Sequence, residues 1–157
     1  MRSSKLRVLS ALALLGIVSS ASLRADPEEI ERWFFNEYVD SYLNEAPDFF
    51  TAHYTSEVRF ITPGATQLLI LDELVAVMNS VYVEPWLAQG WTSTAAISAD
   101  VKQLSEQTYL LTAEWKMTNK DGKSVTHCDR PIWHYLITTA IGGMPRIFSE
   151  IQGDCLE

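Results

Sequence analysis

Between Thr126 and Tyr135 the chain reads THCDRPIWHY, a stretch holding two histidines, an aspartate, an arginine and a cysteine. His127 and Asp129 stand two apart, the spacing that puts two side chains on one face of an extended strand. An imidazole exchanges protons near neutral pH, and a neighbouring carboxylate can orient it or titrate upward when buried. His127 and Asp129 are therefore the candidate catalytic pair, suited to acid/base chemistry of an isomerase, lyase or hydrolase kind. The same pair could equally sit at a rim, bonded to each other or to water, so the residues leave open whether the protein is an enzyme. His127-x-Asp129 offers two metal ligands and nothing at clear spacing supplies a third, so no metal is expected. No phosphate loop, nucleophile elbow or dinucleotide fingerprint calls for a cofactor.

The faces of these side chains depend on one turn. Lys120-Asp121-Gly122 reads as a three-residue hairpin loop with Gly122 in the left-handed conformation. Asn119 then pairs with Lys123, Met117 with Val125, Trp115 with His127, Ala113 with Asp129 and Leu111 with Pro131. Alternation places these residues on one face with Tyr109, Trp133, Tyr135 and Ile137, while Glu114, Lys116, Cys128, Arg130, Ile132 and His134 take the other. The first set is the more apolar and is expected to face the helices and a pocket. Trp115, Trp133 and Tyr135 are the candidate ligand-binding wall there, joined by Tyr38 and Tyr42 from the first helix. Glu114 and Arg130 read as a surface ion pair, His53 as a packing or capping residue of a short helix. A second turn at Gly142-Gly143 sets Tyr135 opposite Glu150 and Arg130 opposite Cys155. Cys128 and Cys155 become diagonal neighbours on the outer face, and a bulge at Pro131 or Gly153 would bring them into disulfide range.

The elements that carry these faces follow from period and punctuation. Asp26, Pro27 and Glu29 open a helix with a capping box, and Ile30, Trp33, Phe34, Phe35, Tyr38, Val39, Tyr42 and Leu43 give it a wide apolar stripe. Pro47 interrupts it, and Asp48 to Tyr54 reads as a second short helix. Ser56 to Gly64 is a short strand closed by Pro-Gly, and a third helix starts at Asp72 and Glu73. From Trp91 the period is two, predicting strands over 91–104, 108–118, 124–140 and 145–153. Helices followed by antiparallel strands mean α+β, with the helices packed on one face of a strongly bent sheet.

Arg2, Lys5 and Arg7, the apolar run Val8 to Val18 and small residues up to Ala25 have the layout of a secretory signal peptide over residues 1–25, cleaved after Ala21 or Ala25. The run is shorter than the roughly 20 residues a membrane span needs. The expected location is periplasmic or secreted, where a disulfide persists, with no membrane association after cleavage. The leader holds four of the 12 basic residues and none of the 20 acidic ones, so its removal takes the formal charge from −8 to −12. So acidic a surface repels nucleic acid, which is not an expected partner. Residues 26–157 suit one domain with one core.

FFTAHYTSEVRFITPG (Phe49 to Gly64) and GGMPRI (Gly142 to Ile147) resemble the helix–strand entry and the last turn of the nuclear transport factor 2-like, or SnoaL-like, superfamily. The resemblance spans essentially all of 26–153, although a glycine common before the third helix is replaced by Ile70 and Leu71. It implies a cone, a bent sheet wrapped around helices with a pocket between. Family members include ketosteroid isomerases, polyketide cyclases, epoxide hydrolases, dehydratases and non-enzymatic domains, so fold alone does not give function. The expectation is an exported domain whose apolar pocket binds a small, largely hydrophobic molecule. The alternative is a non-catalytic binding or dimerisation domain whose pocket is plugged by its own aromatics. The outer sheet face, with Leu110, Ile132 and His134, is where a homodimer would form.

Overall fold

The computed structural model describes residues 25–43 and 49–155. The expected leader up to Arg24, the break at Pro47 and the side chain of Tyr42 lie outside what is described. Helix α1 (Pro27–Trp33) passes through a π-helical turn, Phe34–Tyr38, into α2 (Val39–Leu43), and α3 (Phe49–His53) follows. Strands β1 (Tyr54–Thr62) and β2 (Ala65–Ile70) form a hairpin closed by Pro63-Gly64. Helix α4 (Leu71–Met78) continues through a second π-helical turn, Asn79–Val83, into α5 (Glu84–Ala88). Strands β3 (Trp91–Ser105), β4 (Thr108–Asn119), β5 (Pro131–Thr138) and β6 (Arg146–Cys155) complete the chain.

The α1 entry forms as its residues dictate. Glu29 N–H donates to Asp26 Oδ1 at 2.8 Å and Asp26 N–H to Glu29 Oε2 at 3.1 Å, closing the capping box. Such a cap is worth about 1 kcal/mol. The helix buries Ile30, Trp33, Phe34, Tyr38 and Val39. The π-helical turn holds two of them, Phe34 and Tyr38, and such turns often mark places where a helix serves more than packing.

The six strands form one bent, unclosed sheet in the order β2-β1-β6-β5-β4-β3. The pairings are antiparallel except β1 with β6, which run parallel and bring the chain's first and last strands together at the sheet centre. Register shifts in β3, between Ala96 and Ser98 among others, and between Leu136 and Ile137 on β5 bend the ladder, as bulges do. Tyr109, Leu111, Ala113, Trp115 and Met117 of β4 and Trp133, Tyr135 and Ile137 of β5 are buried on the inner face. The helices cover that face, making the α+β architecture.

The hairpin after β4 starts in the expected register. Gly122 has φ +74°, Asn119 N–H donates to Lys123 O at 2.9 Å and Val125 N–H to Met117 O at 3.1 Å. Asn119 Oδ1 also accepts from the Asp121 and Lys123 amides at 3.0 and 3.1 Å. Beyond Val125 the ladder departs from the expectation. Ala113 pairs with Trp133, not Asp129, and Leu111 with Tyr135, not Pro131. Residues 126–130 form a series of bends, so the strand expected over 124–140 begins only at Pro131.

Local chemistry explains the loop. Ser124 Oγ donates to Cys128 O at 2.8 Å and Thr126 Oγ1 donates to the same carbonyl, while Thr126 N–H donates to Ser124 Oγ at 3.2 Å. Hydroxyls used this way compete with a strand ladder for the backbone. Pro131 then has no amide hydrogen to give and sits at the first position of β5, where a proline is tolerated. The slip is four residues, an even number, so Trp133 and Tyr135 keep the inner face assigned to them.

The β5–β6 pairing sets Tyr135 opposite Glu150 and Pro131 opposite Cys155. Cys128 and Cys155 are joined in a disulfide, with Cα atoms 6.2 Å apart, tying the loop to the last strand. Gly153 of β6 lies against His134: a Cβ there would be 2.9 Å from His134 Nε2 and 3.0 Å from Ile132 O. Gly153→Ala is therefore expected to destabilise the domain by about 1–3 kcal/mol. Gly64→Ala, in open space, should stay within about 0.5 kcal/mol of wild type. Urea unfolding of both variants checks this, and equal midpoints would contradict the close packing of β5 on β6.

Candidate functional site

At the centre of the inner face lies a carboxyl group. Glu150 is 2% exposed, flanked across the sheet by Tyr135 of β5 and Phe60 of β1. Tyr54, at the start of β1, donates its hydroxyl to Glu150 Oε2 at 2.8 Å. Tyr38 Oη lies 2.8 Å from Tyr54 Oη, extending the chain of hydrogen bonds from sheet to helix. Burial pushes the Glu150 carboxyl up to about 7, and the Tyr54 hydrogen bond pulls the other way without cancelling it. Burial, then the neighbouring Glu150 charge, raises the Tyr54 phenol well above the ordinary tyrosine value.

Aromatic rings enclose this chain. Phe34 stacks on Tyr38 with centroids 5.4 Å apart and meets Trp115 edge-on at 5.7 Å. Tyr38 meets Tyr135 at 5.7 Å. On the other side Tyr82 packs edge-on against Trp133 at 5.3 Å and tilts against Trp86 at 5.6 Å. Of the five expected ligand-binding residues, Trp115, Trp133 and Tyr135 are buried on the inner sheet face, Tyr38 packs on Tyr135 from the helix, and Trp133 stands apart with Tyr82. For the fifth, Tyr42, the side chain is not among those described.

A cleft of about 330 Å³ opens beside Trp133 and Tyr82, between the α5 end and the 125–131 segment, lined also by Trp86, Gln152 and His127 among others. Tyr82 donates its hydroxyl to Gln152 Oε1 at 3.0 Å. Its phenol is pushed up to about 12 by burial and then by the charge of Glu150, so the cleft and the buried acid are within electrostatic reach. Gln89 Nε2 donates to Val125 O at 3.1 Å and ties α5 to the 125–131 segment.

His127 and Asp129 do not stand on the inner face beside Trp115. Both are exposed in the bends over 126–130. His127 lines the cleft rim and also an outer groove of about 850 Å³, whose wall includes Asp129, Glu114, Lys116 and Arg130. The expected ion pair is present, although only Arg130 is at the surface and the Glu114 side chain is buried. Arg130 bonds Glu114 through Nε, and through Nη2 at 2.8 Å, holding the Glu114 carboxyl below the usual range. On the same outer face Leu110, Ile132 and His134 are half-buried, with His134 Nδ1 2.9 Å from Thr112 Oγ1.

His53 is a buried packing residue among Trp33, Tyr38 and Phe49, with centroids 5.3–5.6 Å away. Neither ring nitrogen has a hydrogen-bond partner among the described residues. Burial, then Arg146, lowers its pKa and favours the neutral ring.

Residues 28–153 match a family described as NTF2-like protein (DUF6841). The chain belongs to that family. Solved structures share the fold at low identity. An NTF-2 like protein of unknown function from Shewanella oneidensis MR-1 is 13% identical with a TM-score of 0.59, over 82% of this chain and all of that one. A cystatin-like domain of unknown function from Nostoc punctiforme is 16% identical with a TM-score of 0.59, over 83% and 78% of the two chains. A ketosteroid isomerase-like protein from Erwinia carotovora atroseptica is 17% identical with a TM-score of 0.51, over 78% and 91%. At these identities the likeness concerns fold alone. No curated protein matches the sequence.

In this NTF2-like domain the group that sequence reasoning passed over is Glu150. Its signal was its cross-strand partner, because a residue opposite Tyr135 shares the inner face with it. The raised carboxyl has a thermodynamic consequence. An unfolded glutamate titrates near about 4.3, so between there and about 7 the folded chain holds the extra proton. Stability from this group is full at low pH and lost as pH rises through that window, by about 4 kcal/mol in all. Glu150→Gln should abolish that loss, so wild type falls by this amount relative to the variant between about pH 4 and 8. Urea unfolding across the range measures it, and parallel profiles would contradict it.

Proposed function

We propose that this domain is exported and binds a small, largely hydrophobic molecule bearing a carbonyl or hydroxyl group. The cleft beside Tyr82, Trp86 and Trp133 is its entrance, and the Tyr38–Tyr54–Glu150 chain is its polar anchor. The observation that carries the reading is the carboxyl held near neutrality inside an aromatic enclosure, with a phenol bonded to it. Such a group can both donate and accept a proton at physiological pH, as general acid/base chemistry requires. A phenol beside a protonated carboxyl is also an arrangement that stabilises a developing oxyanion in an apolar site. Aromatic walls with a few convergent polar groups are the usual make-up of a small-molecule site. The Cys128–Cys155 disulfide supports export, because such bonds persist in oxidising compartments. No helix among the described residues is long and apolar enough to cross a membrane.

A second reading has its own support. Tyr38 and Tyr54 are themselves buried and close over the Glu150 carboxyl. On that reading the chain is a structural latch and the domain binds without catalysis. In either case Trp133 forms the cleft wall and His127 its rim.

Thermal-shift screening with hydrophobic ketones and enones, followed by turnover assays on the hits, separates the two. The catalytic reading expects hits whose shift is lost in Trp133→Ala. It also expects Glu150→Gln to retain the shift while losing turnover by about a hundredfold or more. Binding with turnover indifferent to Glu150→Gln, or with none in wild type, contradicts a catalytic Glu150 and favours the latch.

A further inference from the structure

The disulfide does not stand alone. The sulfur atoms of Cys128 and Cys155 and a ring nitrogen of His127 all lie within 4.8 Å of one another. His127 and Cys128 are neighbours in sequence, and in a flat strand their side chains would point to opposite faces. The bends over 126–130 turn both toward Cys155 instead. His127 makes no hydrogen bond among the described residues, so its nitrogens are uncommitted. His127 and Cys128 both line the outer groove of about 850 Å³, which gives solutes access from solvent.

We propose that, when a dithiol or phosphine reductant opens the disulfide, Cys128, Cys155 and His127 become a zinc site. The reductant supplies two electrons and the S–S bond breaks. A dithiol passes its own two protons to the cysteine sulfurs and leaves as its disulfide, whereas a phosphine takes oxygen from one water, whose two protons complete the thiols, and leaves as its oxide. Zinc then displaces the two thiol protons to solvent and binds two thiolates and one neutral imidazole, with a water in the fourth position.

Geometry and charge both suit the ion. Zinc–sulfur bonds of about 2.3 Å and zinc–nitrogen bonds of about 2.0–2.1 Å in a tetrahedron set ligand atoms roughly 3.5–3.8 Å apart. The three donors, all within 4.8 Å of one another, come to that spacing by side-chain rotation once the sulfurs are unlinked. Two thiolates balance the dication, leaving no net charge beside an already acidic protein. The loop does not depend on the disulfide alone, because Ser124 and Thr126 both hold the Cys128 carbonyl. Pro131 pairs with Cys155 across β5 and β6, so the strand ladder keeps Cys155 beside that loop when the disulfide is open. Because the same sulfurs serve both states, oxidation and zinc binding exclude each other.

The test uses the exported chain after leader removal, reduced with a phosphine, freed of excess reductant without air and titrated with cobalt(II) as a spectroscopic stand-in for zinc. Reduced wild type is expected to bind one equivalent, with thiolate-to-cobalt charge-transfer absorption and tetrahedral d–d bands that zinc abolishes. The oxidised protein should show neither. His127→Ala should keep two titratable thiols yet weaken binding by at least about tenfold, the smallest loss seen even for groups that only support a ligand. Lys123→Ala, in the same groove, should bind as wild type does. Circular dichroism follows the fold, and cobalt binding that restores lost structure would also support the site. Absence of charge-transfer bands in the reduced protein, or affinity unchanged in His127→Ala, would overturn it.

Discussion

A carboxyl group buried among aromatic rings is stable only if it is hydrogen-bonded, protonated, or both. Glu150 meets this constraint in the middle of the sheet, and much of the inner architecture can be read as the means of meeting it. Tyr54 stands where α3 turns into β1 and bonds the carboxyl, and Tyr38 reaches from the π-helical turn to bond Tyr54. The parallel pairing of β1 with β6 places Tyr54 and Glu150 on adjacent strands although 96 residues separate them. The helix, the first strand and the last strand are thus joined by one short chain of oxygen atoms inside an otherwise apolar core. That chain ties the protonation state of a single residue to the packing of three elements.

The outer side of the same sheet is organised differently. There the β4–β5 connection leaves the ladder for four residues' worth of slip, held by hydroxyl-to-carbonyl bonds, an arginine–glutamate pair and a disulfide to β6. The result is that reactive side chains met together in sequence are separated in space. Trp133 and Tyr135 are buried on the inner face, whereas His127 and Asp129 are exposed and Cys128 is half-buried beside Cys155. His127 lines both the cleft and the outer groove, which makes the loop the structural link between the aromatic wall and the Cys128–Cys155 disulfide.

Most of the fold was legible because it rests on local signals. The Asp26–Glu29 box, the apolar stripe from Ile30 to Val39, the Gly122 turn and the period-two strands each state their conformation within a few residues. Alternation also carried the face of Trp115, Trp133 and Tyr135, since an even slip leaves parity unchanged. What was not legible depended on competition between near-equal alternatives. Whether Thr126 to Arg130 continues the ladder or loops out is decided by hydroxyl bonds to Cys128 O and by Pro131, and no periodicity records that contest. The buried acid escaped notice for another reason. Glu150 sits in SEIQG, between residues that read as an ordinary strand, and only its pairing with Tyr135 together with the arrival of Tyr54 from β1 makes it unusual.

The inner architecture depends on the state of that one carboxyl. Carbon-13 NMR of glutamate-labelled protein, with the Glu150 signal assigned from Glu150→Gln, reads its titration directly. The expected midpoint is about 7, moving higher in Tyr54→Phe, where the hydrogen bond favouring the ionised form is gone. A midpoint in the ordinary carboxylate range of about 4, unchanged by Tyr54→Phe, would contradict it.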